Sequence, residues 1–178
     1  HNDKLAKHLA KSILEQLDNK IRIMEVCGTH THSIAKFGLR DFLKDNVEFV
    51  SGPGCPVCVT SIQDIDKIIE ISRIEGVVLT TFGDMVKVPG SSSSLLNEKT
   101  KGSDIRIVYS PLESLKIAKN NPDRDVVLIG IGFETTVPLI ASTIIRAREN
   151  GIKNFSVFSI NKSMPNVLRQ LMSTQDSK

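Results

Sequence analysis

The chain has 178 residues, enough to bury one full hydrophobic core and part of a second. Its 40% hydrophobic and 24% charged residues are ordinary for a soluble globular protein, and 4% aromatic residues with no Trp argue against a base-stacking surface. With a net charge of +3 and scattered Lys and Arg, neither nucleic acid nor an anionic membrane has an electrostatic footprint.

The first element, LAKHLAKSILEQL, places Leu5, Leu9, Ile13 and Leu17 on one stripe of an amphipathic helix. It reads as neither a secretory signal nor a membrane span, so a cytoplasmic protein is expected. The start at His1 without Met, and the tail STQDSK after a helix, read as trimmed ends. Apolar, β-branched runs then alternate with helical patterns. Strands are predicted at 21–26, 47–50, 76–81, 105–110, 125–131 and 155–160. The helices between them carry core faces at Ile34, Phe37 and Phe42; Ile62, Ile65 and Ile69; Leu112, Leu115 and Ala118; Val137, Ile140 and Ile144; and Val167, Leu168 and Leu171. This is an α/β pattern with mostly parallel sheets and flanking helices, Rossmann-like. It comprises one full domain and part of a second similar one. The polar run NNPDRD sets the expected boundary, giving domains 1–122 and 123–178, and residues 86–103 are expected to form a long loop or lid.

The chemistry-bearing segments all follow predicted strands, the edge at which open α/β sheets bind ligands. After the first strand, CGTHTH offers Cys27 and His30, a donor pair suited to iron or zinc; His30 reads equally as a ligand or as a donor orienting what Cys27 holds. His32 reads as a cap or packing residue. After the second strand, GPGCPVC holds Cys55 and Cys58 in a stiff turn before a helix capped by Thr60, with Gln63 completing a capping box. Sulfurs facing a helix N-terminus have lowered thiol pKa values, which favours the thiolate needed for metal ligation or disulfide exchange. Three cysteines are too few for a disulfide framework. In FGDMVKVPG, Asp84 and Lys87 are support residues. GIGFETT lacks the third glycine of a dinucleotide fingerprint, and Glu134, Thr135 and Thr136 read either as helix caps or as a functional group in which Glu134 hydrogen-bonds or relays protons.

MEVCGTHTH, NVEFVSGPGCPVC, TTFGDMVKVPG, DIRIVYSPLESLKIA and GFETTVP, in this order, resemble the HypD family of [NiFe]-hydrogenase maturation proteins over essentially the whole chain. The resemblance implies a scaffold, rather than a stand-alone enzyme, on which the Fe(CN)2CO centre is assembled. HypC would be the chaperone partner, HypE would deliver cyanide, and the hydrogenase large subunit would be served indirectly. It implies that Cys27 ligates iron with His30 beside it, that Cys55 and Cys58 are a redox-active dithiol, and that Glu134 and Thr135 face the same cleft. It also implies a [4Fe–4S] cluster whose cysteines are not in this sequence, and a histidine near position 161, where Asn161 stands. Two other classes remain open from the residues: a thiol-disulfide oxidoreductase using Cys55 and Cys58, and a structural zinc site from Cys27, His30, Cys55 and Cys58.

Overall fold

A computed structural model describes residues 3–174; His1 and the end of the STQDSK tail lie outside the described residues. All six predicted strands are present and parallel, and they form two sheets, of two and four strands. The chain divides into two compact units, His1–Val59 and Thr60–Lys178.

In the first unit, helix α1 (Asp3–Glu15) precedes strand β1 (Ile21–Glu25), helices α2 (Gly28–Lys36) and α3 (Leu39–Leu43), and strand β2 (Val47–Ser51). β1 and β2 pair in parallel from Ile21 opposite Val47 to Glu25 opposite Ser51, so both strands end at the same level. Ala10, Leu43 and Val47 form the buried core, with Leu14, Leu17, Ile21, Leu39 and Phe49 packed on it. The inward stripe of α1 therefore runs through Ala10 and Leu14. Leu5, Leu9 and Ile13, expected on the core face, are about half exposed. The helix expected to hold Ile34, Phe37 and Phe42 together is two helices. Gly38, at φ 63°, takes the left-handed conformation that ends α2, and its amide donates to the Ala35 carbonyl.

In the second unit, α4 (Ile62–Arg73), β3 (Val77–Thr81), a 3-10 turn (Gly83–Met85), α5 (Leu95–Thr100), β4 (Ile105–Ile107), α6 (Pro111–Asn120), β5 (Asp125–Gly130), α7 (Val137–Glu149), β6 (Phe155–Ser159) and α8 (Met164–Thr174) follow in order. The sheet runs β4-β3-β5-β6. Every residue of β3 is buried, as helices on both faces of a parallel sheet require. Val78, Ala118 and Val126 join β3, α6 and β5 in one core.

The division expected at 122/123 is not where the chain separates. β5 hydrogen-bonds directly to β3, so residues after 123 complete the sheet that β3 and β4 begin. NNPDRD is instead a turn tied down by charge: Arg124 donates to Asp104 at 2.7 Å and to the Val77 carbonyl at 3.2 Å. Arg106, with Arg124, holds the Asp104 carboxyl at about 2. The long connection after β3 also contains structure. Ser94 caps α5 by accepting from the Asn97 amide, and Glu98 on that helix is buried against Arg73, Ser93 and Lys101.

Candidate functional site

The parallel register carries CGTHTH and GPGCPVC out of the first sheet side by side. The Gly52 amide donates to the Glu25 carbonyl at 2.9 Å, which extends the pairing one residue beyond the strands. A Cβ on Gly52 would lie 2.7 Å from that oxygen and 3.0 Å from Met24 Cγ, so only glycine permits this approach. Cys27 is two residues beyond this junction and Cys55 three.

Cys27 is half-buried and occupies the N-cap of α2, with extended backbone (φ −143°, ψ 123°). Its carbonyl accepts from the Thr31 amide at 3.0 Å, the first helical bond. The sulfur closes no full capping bond, yet the amides of His30 and then Thr29 hold its thiol below the ordinary cysteine pKa against the opposing effect of burial. A helix N-terminus, with unpaired N–H groups and partial positive charge, stabilises a thiolate there.

The sequence placed that helix effect on Cys55 and Cys58; the structure places it on Cys27. Residues 56–59 form a separate turn, closed by the Val59 amide donating to the Cys55 carbonyl at 3.1 Å. Helix α4 does not begin until Ile62, and its cap is Ser61, accepting from the Asp64 amide, rather than Thr60 with Gln63. A turn of its own separates the dithiol from that helix. Cys55 is half-buried and Cys58 exposed.

His30 and His32 separate by helical phase. Ser33, Ile34 and Phe37 are the half-buried positions of this segment, and His30 lies one turn before them on the same stripe. His32 falls with exposed Ala35 and Lys36. Both imidazoles are exposed. Among the described residues, no three His, Cys, Asp or Glu side chains converge as ligands of one ion. A closed four-donor staple from Cys27, His30, Cys55 and Cys58 is therefore not preassembled.

Glu134 and Thr135 belong to the second unit, in the turn between β5 and α7 at the carboxyl edge of the four-stranded sheet. β3 and β5 are adjacent there while their connections run to opposite sides, so this is the switch point of the sheet. Both Glu134 carboxylate oxygens accept from the Met164 amide, at 3.0 and 3.1 Å, so the residue caps α8 rather than α7. Main-chain amides, its own first and then that of Met164, hold its carboxyl below the ordinary range. Asn161 joins the same two loops: its amide group donates to the Gly132 carbonyl at 3.3 Å and its oxygen accepts from Ser159 Oγ at 2.9 Å. Asp84 and Lys87 are exposed beside buried Met85 and Val86.

Sequence reasoning missed Glu25 and Arg40. Glu25 ends β1 with its side chain 3% exposed, and its Oε1 accepts from Arg40 Nη2. Its Oε2 is buried without a partner. The available signal was the single acid of β1, closing the strand two residues before a cysteine.

Fold and site together define a two-unit α/β protein that presents a helix-capped thiol and a Cys-x-x-Cys turn at one end of a parallel strand pair. The family model HypD, described as hydrogenase formation hypA family, matches residues 4–178. The chain belongs to this family. It is 46% identical over 177 residues to hydrogenase maturation factor HypD of Escherichia coli (strain K12), covering 99% of this chain and 46% of that protein. Identity to the protein of the same name from Azotobacter vinelandii is 46% over 176 residues, and to a putative hydrogenase expression/formation protein of Methanocaldococcus jannaschii 43% over 160 residues. The chain thus spans about half the length of these relatives. Among the described residues, no helix is long and apolar enough to cross a membrane.

Proposed function

We propose that this chain acts in hydrogenase maturation as the thiol-bearing part of a scaffold on which the Fe(CN)2CO group is put together. Iron is the cargo. Cys27 supplies the protein thiolate, His30 lies beside it on the first turn of α2, and the Cys55–Cys58 dithiol is the nearby source of reducing equivalents. Oxidation of that dithiol to a disulfide releases two electrons and two protons. Glu134 and Thr135, with Asn161 bracing their loop, serve the second unit's edge.

The observation that carries this reading is Cys27 at the N-cap of α2, where the His30 and Thr29 amides favour the thiolate. Thiolates hold soft, low-valent iron well, and one prepared thiolate without a closed ligand set suits an ion received and passed on better than one kept. The remaining coordination positions are then filled by the diatomic ligands and by a partner thiolate. A HypC-type chaperone is the proposed partner for that thiolate, a HypE-type protein the cyanide donor, and the hydrogenase large subunit the eventual recipient. Membership of the family and the names of the relatives support the maturation role.

The test is anaerobic metal analysis with infrared spectroscopy of the chain purified with a HypC-type partner, with and without Cys27→Ala. Iron with cyanide and carbonyl stretching bands, lost in the variant while the fold is kept, is the expected result. Iron content unchanged by Cys27→Ala would overturn the assignment. Stoichiometric zinc resistant to dilution would establish the staple instead. A metal-free protein with a readily formed Cys55–Cys58 disulfide would establish the oxidoreductase.

A further inference from the structure

The segment that carries Cys27 and both histidines is not held by a core. α2 buries none of its residues, and Val26 before it is 37% exposed. A helix of nine residues is too short to persist on propensity alone. Something else must fix where its first turn sits.

Three links meet at Glu25. Its carbonyl accepts from the Gly52 amide and so ties the root of CGTHTH to the root of GPGCPVC. Its carboxylate accepts from Arg40 on α3, which lies beyond the far end of α2. The Arg40 guanidinium in turn stands 5.6 Å over the centre of the Phe49 ring on β2. The Glu25–Arg40 pair thus brackets residues 26–39, the whole thiol and imidazole segment, and anchors both of its ends to the strand pair.

The pair is also poorly made as a stabilising device. Glu25 is 3% exposed and Arg40 50%, and the second carboxylate oxygen has no donor. Buried ion pairs are weak sources of stability, and apolar side chains of similar volume commonly do better. A buried, half-satisfied carboxylate at the root of a reactive turn is the kind of local cost associated with function.

We propose that Glu25 and Arg40 are the positioning pair of the thiol site, a clasp that fixes the first turn of α2, with Cys27 at its cap, against the dithiol loop. This inference rests on the reading of Cys27 as the iron-holding thiol for its consequence, but not for its geometry. Its cost to a loaded site is loss of placement rather than loss of a ligand.

The experiment compares Glu25→Gln, which keeps the shape and removes the charge, and Arg40→Ala, with Arg40→Lys as the conservative variant. Arg22→Ala serves as control, because the Arg22–Glu48 pair joins the same two strands in exposed positions. Hydrogen exchange of the intact chain is followed by peptide, together with iron retained in the presence of a HypC-type partner. In Glu25→Gln and Arg40→Ala, exchange over residues 28–36 should rise about tenfold or more while β1 and β2 change less than twofold. Iron retention should fall in parallel, Arg40→Lys should recover at least half of both effects, and Arg22→Ala should change neither. Unchanged exchange over 28–36, or a rise spread evenly over the unit, would overturn the clasp, since a purely stabilising pair loosens everything together. If the unmodified chain retains no iron, the iron reading fails, and the exchange pattern alone decides the clasp.

Discussion

Replacing Gly52 by Ala puts a methyl group where the roots of the two cysteine loops touch. The added carbon would meet the Glu25 carbonyl oxygen at 2.7 Å, Met24 Cγ at 3.0 Å and Val26 Cγ1 at 3.2 Å. The two side chains can turn aside, but the carbonyl belongs to the backbone of β1 and already accepts from the Gly52 amide at 2.9 Å. Relief therefore comes from parting the strands beyond Ser51. Losing that hydrogen bond costs about 1 kcal/mol. Forcing a methyl into filled space costs about 1–3 kcal/mol. Against this, alanine restricts the unfolded chain and returns about 0.4–1 kcal/mol. The net expectation is destabilisation of the first unit by about 1–4 kcal/mol, concentrated at the carboxyl ends of β1 and β2. Because the chain has two units, a single global melting curve is a poor measure, and amide exchange resolved to β1 and β2 is the suitable assay. Exchange of the Glu25–Gly52 region should accelerate several-fold, with the second unit unchanged. If Gly52→Ala exchanged within twofold of the unmodified protein at both strands, the close approach of the two loops would be refuted, and with it the common root of the thiol site.

Alkylation of Cys27, followed by mass spectrometry in the folded chain against pH, should have its midpoint below that of the same cysteine in the denatured chain, because the His30 and Thr29 amides favour the thiolate; coincident midpoints would remove the helix-cap argument. A thiol so depressed adds stability above its unfolded pKa, and that contribution fades as pH falls through the folded value. Glu98 is held far below the ordinary carboxylate range by Arg73 first, then Ser93 and Lys101, so its contribution is present above the unfolded glutamate pKa and lost as pH falls below it. Glu98→Gln should therefore destabilise the second unit at neutral pH, with the gap to the unmodified protein narrowing in acid; a gap independent of pH would contradict the network. Ile68→Ala, at a fully buried position of α4, should cost the second unit about 2–5 kcal/mol in denaturant unfolding, and a loss under 1 kcal/mol would mean that α4 is not packed as described.

Local elements were legible because each is encoded by a short-range period. All six strands, and the helices after them apart from α5, lie within a few residues of where β-branched runs and 3.6-residue spacing put them. Some errors were local too. Gly38 is the usual residue at a helix end, and reading it as one would have separated α2 from α3. Ser61, next to the expected Thr60, is an equally good cap, and only the chain path after Cys58 chose between them. The short helix α5 was hidden in a serine-rich stretch because its stability comes from Glu98 buried against Arg73 on α4, 25 residues away.

The residue types of the site were also written in the chain: a thiol followed by imidazoles after one strand, and a dithiol in a glycine- and proline-bound turn after the next. Their grouping was not. Composition marked NNPDRD as a boundary, yet β5 crosses it to pair with β3, because a parallel sheet gains its stability from neighbours brought in over long sequence separations. In the first unit, the pairing of β1 with β2 and the packing of α3 set buried Glu25 against Arg40, whereas the helix N-terminus falls to Cys27 through the local chain path, since the amides that meet its thiol lie two and three residues on. Sequence by itself determined the elements and the donor atoms, since those depend on the residues within a turn or two. Which strands share a sheet and which carboxylate is buried depend on contacts between distant segments, and only the folded chain decides them.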